Sequence, residues 1–135
     1  MNYISQKKTL PEQVCKYYAA QVVLALKYLH YEIKTIYRDL KPENILIDQD
    51  GFIWLTDFGL STIGIDRAKS VCGTLVYIAP EVLYGDYYRK EVDYWGLGCL
   101  IYEMAFGETA FYTKTQNVQD LKTLILGGKF KFPVK

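Results

Sequence analysis

Histidine occurs once, at position 30, and cysteine three times, at positions 15, 72 and 99, with no C-x-x-C pair. Tetrahedral zinc sites need closely spaced sets of these side chains, so no zinc chemistry is expected. An odd number of scattered cysteines also argues against a disulfide framework, and reduced thiols point to the cytoplasm or the nucleus. An excess of charge is missing too: 16 basic residues meet 15 acidic ones, for a net charge of +1. That balance leaves no electrostatic footprint for nucleic acid or for an anionic membrane, so any partner must be recognised locally. Long hydrophobic runs are absent. The longest apolar stretch, residues 92–106, is interrupted by Asp93 and Glu103, and it falls short of the roughly 20 residues that span a bilayer. The first eight residues lack an apolar core of signal-peptide type. A soluble intracellular protein is the expectation.

What is present is apolar and aromatic. Half of the 135 residues are hydrophobic and 16% are aromatic, enough for one domain, or part of one, with a real core. Thr9-Leu10-Pro11-Glu12 reads as a capping box, with a hydroxyl cap, a proline in the first turn and a carboxylate three positions on. Val14, Tyr18, Val22, Leu26 and Leu29 follow at helical spacing, which predicts an amphipathic helix over about 10–30. Residues 45–47 and 52–55 flank the turn-rich Asp48-Gln49-Asp50-Gly51 and predict a hairpin. Residues 60–75 show no period and read as a loop. A short helical turn is expected after Pro80. The segment from Lys90 to Phe106 is apolar on every side, as in a helix buried all round, which singles out its two carboxylates. A last helix is expected over about 117–126, stopped by Gly127. The fold class is therefore mainly α with a small β-hairpin.

The chemistry concentrates in two short stretches, Tyr37-Arg38-Asp39-Leu40-Lys41-Pro42-Glu43-Asn44 and Asp57-Phe58-Gly59. Each sets an acidic side chain in a context suited to a tight turn, and the first adds the amide of Asn44. Phosphoryl transfer needs such a set: one carboxylate to orient a hydroxyl nucleophile, and oxygen ligands to hold Mg²⁺ against phosphates. A lone Asp or Asn in a turn is ordinarily only a turn residue. Here both stretches occur together, with Ala79-Pro80-Glu81 downstream. On these motifs, and over essentially its whole length, the chain resembles the C-terminal lobe of a eukaryotic serine/threonine protein kinase (α+β). Within that family it is most similar to the basophilic branch that includes the cyclic-nucleotide-dependent kinases.

The resemblance implies roles residue by residue. Asp39 matches the catalytic base, Lys41 the cation at the transferring γ-phosphate, and Thr74 the hydroxyl bridging the two. Lys41, Glu43, Asn44, Leu46 and Asp57 match positions around ATP; Leu46 lies beneath the adenine, and Asn44 and Asp57 hold Mg²⁺. Phe58 matches the packing switch behind the metal, and Asp93 the acid that holds the catalytic loop's backbone. Arg38, directly before the base, implies control through phosphorylation at Ser70 by an upstream kinase. Lys41, two positions after Asp39, implies serine/threonine substrates. Glu43 and Glu103 match positions that bind an arginine upstream of the phosphoacceptor. Val71, Leu75 and Ile78 are expected to line a pocket for the residue after it. Cys72, in the same loop, is read as an inert small thiol.

Departures from the pattern are local. Tyr37 stands where most of the family carries histidine, as is common in the basophilic branch. Val76 replaces a glutamate that some relatives use for a more distant arginine. The glycine-rich loop and the V-A-I-K lysine, which the family keeps in an N-terminal lobe, have no counterpart within residues 1–135, nor does the arginine that pairs with Glu81. The expectation is a partial kinase domain over 1–135, truncated at both ends and inactive by itself. The alternative is a non-catalytic, kinase-derived interaction module or a truncated gene product.

Overall fold

The computed structural model describes residues 2–3 (backbone only), 9–64, 67–114 and 117–133. Helix α1 (Glu12–Tyr31) buries Cys15, Val22, Leu26 and His30 along one face, the stripe expected from the helical period. Its start differs from the expected capping box. The residue preceding the helix is Pro11, and no side chain caps the first turn. The backbone N–H of Leu10 instead donates to the Met104 carbonyl at 2.7 Å, and the Glu12 carboxylate pairs with Lys16 at 2.6 Å. A tertiary bond has taken over the local motif.

The β structure is slight. Strands β2 (Thr35–Ile36), β3 (Ile45–Ile47), β4 (Ile53–Leu55) and β5 (Thr62–Ile63) join β1 (Asn2–Tyr3) in two small sheets, ordered β1-β3-β4 and β2-β5. The β3–β4 hairpin is antiparallel with Leu46 opposite Trp54. The Asp48 carboxylate knots its turn by accepting from the N–H groups of Asp50 and Phe52 at 3.0 and 2.9 Å. Gln21 of α1 ties the hairpin down, accepting from Ile53 N at 3.0 Å. Within the stretch expected to be loop, β5 pairs antiparallel with β2, Thr35 opposite Ile63. Single 3₁₀ turns cover Pro42–Asn44, Phe58–Leu60 and Leu75–Tyr77.

Helices α2 (Pro80–Leu83), α3 (Glu91–Phe106) and α4 (Val118–Leu126) complete the chain. The Asn117 side chain caps α4 by accepting from Gln119 N at 2.8 Å. Helix α3 is the central pillar. Leu97, Leu100 and Met104 pack on Val22 and Leu26 of α1 and on Tyr37, Leu40 and Ile45. Val92 joins a second cluster with Ile36, Ile78, Val82 and Tyr88, and Cys99 a third with Tyr77, Phe111 and Ile125. Each fully buried aliphatic side chain contributes about 1.5–3 kcal/mol, so α3 anchors most of the core. It is not buried all round, however: Tyr94 and Ile101 are 40% and 38% exposed. That face, with Phe106, Phe111, Phe130 and Phe132, lines an apolar cavity of about 400 Å³. Among the described residues, no helix is long and apolar enough to cross a membrane.

Candidate active site

The loop between β2 and β3 carries most of the candidate residues, and a carboxylate beneath it sets its shape. Asp93, in the first turn of α3, is 1% exposed. Its oxygens accept from the backbone N–H groups of Tyr37 and Arg38 at 2.9 and 2.8 Å and from His30 Nε2 at 2.6 Å. Arg38 has φ +72°, a left-handed conformation that costs a non-glycine residue about 1–3 kcal/mol unless its surroundings hold it. The Asp93 carboxylate does so. The Tyr37 hydroxyl donates to the Thr56 carbonyl, and its ring meets Phe58 edge-on at 5.2 Å. The loop that carries Asp39 and the Asp57-Phe58-Gly59 turn are thereby fastened together.

Asp39 is 5% exposed and fully engaged. One oxygen accepts from the Thr74 N–H and hydroxyl at 3.2 and 3.1 Å. The other pairs with Lys41 Nζ at 2.8 Å and accepts from Asn44 Nδ2 at 2.9 Å. Lys41 also donates to the Thr74 hydroxyl at 2.9 Å, closing an Asp39–Lys41–Thr74 ring. Burial pushes the Asp39 carboxyl up, but the hydrogen bonds from Lys41, Asn44 and Thr74 more than offset it and hold the group below its ordinary value. An ionised, oriented carboxylate results. Thr74 reaches it because Gly73 precedes it: with φ +99°, a Cβ at that position would lie 2.7 Å from the Arg38 carbonyl oxygen.

Asp57 also adopts the left-handed region, φ +53°, and is exposed, accepting from Gly59 N at 3.3 Å. Asn44 is 5% exposed, and its Nδ2 also bonds the Asp39 carbonyl at 2.8 Å, which leaves the amide oxygen for a ligand. One carboxylate and one amide oxygen are hard donors that suit Mg²⁺, an ion that keeps several waters and takes further oxygens from phosphates. Among the described residues, no cluster of three or more His, Cys, Asp or Glu stands ready to hold a metal. Leu46 lies half-buried in the hairpin between β1 and β4.

Arg38 lies against Ser70. Its Nη1 is 2.6 Å from the Ser70 hydroxyl, and its Nε donates to the Leu60 carbonyl at 2.5 Å. Glu103 accepts from the Tyr77 hydroxyl, while Glu43 is exposed. Burial raises the Glu103 pKa, the Tyr77 bond opposes this, and the Glu43 charge raises it further. The three apolar residues expected to share a pocket sit at different depths. Val71 is 61% exposed, Leu75 is half-buried against the second and third clusters, and Ile78 is buried in the cluster of Ile36 and Val82. Cys72 is half-buried, and Val76 packs on the third cluster. Glu81 has no ion-pair partner among the described residues. Sequence reasoning missed His30 as a partner of Asp93, although a lone polar residue on the buried face of α1 was a usable signal. It also missed Tyr77 at Glu103 and Tyr88 at Arg38, for which no local pattern exists.

Residues 1–133 match the family described as Protein kinase domain. The chain is 48% identical over 132 residues to a cAMP-dependent protein kinase type 3 of Saccharomyces cerevisiae, covering 96% of this chain and 32% of that protein. It is 44% identical over 135 residues to a RAC family serine/threonine-protein kinase homolog of Dictyostelium discoideum, covering 97% and 30%. To the RAC-beta serine/threonine-protein kinase of Rattus norvegicus it is 43% identical over 134 residues, covering 97% and 27%. The chain thus spans about a third or less of these relatives.

Proposed function

The chain belongs to the protein kinase family, and on that footing we propose that the complete domain it forms part of transfers the γ-phosphate of ATP to serine or threonine in protein substrates. The closed Asp39–Lys41–Thr74 ring, with Asn44 bonded to it, carries this reading. Asp39 accepts a hydrogen bond from the substrate hydroxyl and so aims its oxygen at the γ-phosphorus. A new P–O bond forms as the bond to the β–γ bridging oxygen breaks, and the hydroxyl proton ends on Asp39. A carboxylate held below its ordinary pKa is a weak base, so its main contribution is aim, with proton transfer late. Lys41, anchored by Thr74, offsets charge on the transferring group. Asn44 and Asp57 would hold Mg²⁺, which when bound would supply neutralisation of the phosphates. In this reading residues 1–135 alone are inactive, because ATP lies between two lobes. The three unpaired cysteines support a cytoplasmic or nuclear location.

The Glu43 charge felt at Glu103 supports a substrate arginine upstream of the acceptor, since a guanidinium beside the two carboxylates relieves that repulsion. The complete protein, given γ-labelled ATP, Mg²⁺ and a positional peptide library, is expected to label serine and threonine peptides bearing upstream arginine. Glu103→Gln should weaken that selection by about tenfold while sparing arginine-free peptides. Because Glu103 protonates at higher pH than an ordinary glutamate, the selection should fade earlier on acidification than a free glutamate implies. No label in any peptide overturns the kinase reading; label without arginine preference overturns only the arginine part.

The Arg38–Ser70 contact supports control by an upstream kinase acting at Ser70. A phosphate there adds about −1.5 to −2 charge and charge-assisted bonds to the guanidinium. Ser70→Ala is expected to lower the activity of the complete kinase by about tenfold or more, and Arg38→Ala to make the state of residue 70 irrelevant. Mass spectrometry finding no phosphate on Ser70 in fully active protein sinks this part.

A further inference from the structure

Ser70 does not reach Arg38 by itself. Ala68 and Tyr88 form an isolated antiparallel bridge, each N–H donating to the other's carbonyl at 2.9 Å. Opposed residues in such a bridge share a face, and neighbours along each chain alternate. Ala68 and Tyr88 therefore face inward, and Arg67, Lys69 and Tyr87 outward, while Ser70, two residues past the bridge, is exposed and turns its hydroxyl to Arg38. On the inner face Tyr88 is 3% exposed, its ring packed among Ile36, Ile78, Val82 and Val92. Its hydroxyl donates to the Ser70 carbonyl at 2.6 Å and accepts from Arg38 Nη1 at 3.0 Å. That same nitrogen reaches the Ser70 hydroxyl. On the outer face the Arg67 guanidinium carbon lies 3.6 Å above the centroid of the Tyr87 ring, and Lys69 Nζ lies 5.1 Å from it.

We propose that Tyr87 and Tyr88 form a clasp, two positioning residues that dock segment 67–70 so that the hydroxyl of residue 70, and a phosphate carried on it, meets Arg38. The consequence for activity rests on the reading of Ser70 as a phosphorylation site; the docking itself does not. Tyr87 holds the segment from outside through its ring face, which attracts both cations. Tyr88 fixes the carbonyl of residue 70 and, with Leu60, aims the guanidinium using neutral acceptors only. The receiving geometry thus exists before any phosphate arrives, and a dianion added there meets a preset donor instead of ordering one.

The test uses the complete kinase with Tyr88→Phe, which keeps the buried ring and removes the hydroxyl, and Tyr87→Ala at a residue 53% exposed. In unphosphorylated protein, limited trypsin cleavage after Arg67 and Lys69 is expected to quicken about fivefold or more in both variants, with unchanged far-ultraviolet circular dichroism. With Ser70 phosphorylated, Tyr88→Phe should speed phosphatase removal of that phosphate several-fold and shrink the ratio of kcat between phosphorylated and unphosphorylated forms by about fivefold. A general loss of packing scales both forms alike and leaves that ratio unmoved. If Tyr88→Phe does not fold, cleavage of Tyr87→Ala decides. Faster cleavage without any phosphate found on Ser70 keeps the clasp and removes the Ser70 switch. Wild-type cleavage and dephosphorylation rates in a kinase that Ser70 phosphorylation activates overturn the clasp and leave the switch standing.

Discussion

Asp39→Asn in the complete kinase is expected to lower kcat by about 10²–10⁴-fold, the range a positioned acid–base group contributes. The substitution is isosteric but inverts half of the local hydrogen bonding. The oxygen facing the Thr74 N–H and hydroxyl can stay an acceptor. The other oxygen becomes an NH₂ directed at Lys41 Nζ and Asn44 Nδ2, which are themselves donors. Donor then faces donor, so the aim of Lys41 fails along with the base. A second readout separates this from a simple loss of proton acceptance. The wild-type carboxyl is held below its ordinary pKa, so the charged form adds stability that is present above the unfolded-state value and is lost as pH falls through the folded one. The Asp39→Asn protein, with no carboxyl to titrate there, lacks this contribution. The stability gap between wild type and variant should therefore be largest near neutrality and close below the ordinary carboxylate range. Phosphate incorporation at the wild-type rate, measured with γ-labelled ATP, would sink the assignment of Asp39.

How much of this could be read from the residues alone depends on the range of the interaction. Asp39, Lys41 and Asn44 lie in one short loop, so a family resemblance carried by residue types at fixed spacing singles them out as a set. Helices α1, α3 and α4 were visible because apolar period and stop signals are local properties. Leu10 shows the opposite case: its surroundings spell a capping box, yet its N–H goes to Met104 on another helix, and that bond needs the folded chain. Strand β5 is two residues long, too short for any period to register. His30 and Tyr88 matter through partners far away in sequence, Asp93 and Arg38. A helix apolar on every side, as α3 is, cannot announce which face its own chain covers, and here Tyr94 and Ile101 are left open. The scatter of Val71, Leu75 and Ile78 has the same origin, since depth below the surface is set by packing and not by neighbours in sequence.

Asp93→Ala should destabilise the complete kinase by about 3–5 kcal/mol, the range for removing one partner from a buried charged network. Three donors lose their acceptor together: Tyr37 N, Arg38 N and His30 Nε2. Each buried group left unsatisfied costs about 1–3 kcal/mol, and water entering the small void recovers part of that. The left-handed backbone at Arg38 loses the bond that holds it, so the loop relaxes, Asp39 drifts from its aim, and kcat falls in whatever fraction stays folded. Asp93→Asn should be milder, because the amide oxygen can serve Tyr37 N and His30 Nε2 while its NH₂ opposes only Arg38 N. His30→Phe isolates the contribution of α1: it leaves both backbone bonds intact, so its cost should be well below that of Asp93→Ala. In the His30→Phe background the Asp93→Ala penalty should shrink by about 0.5–3 kcal/mol, the coupling seen between residues of one network. Urea unfolding of the five proteins, wild type included, measures all of these differences. Asp93→Ala within about 1 kcal/mol of wild type, the centre of the range for ordinary point substitutions, would mean that the loop carrying Asp39 is shaped by something other than the carboxylate beneath it.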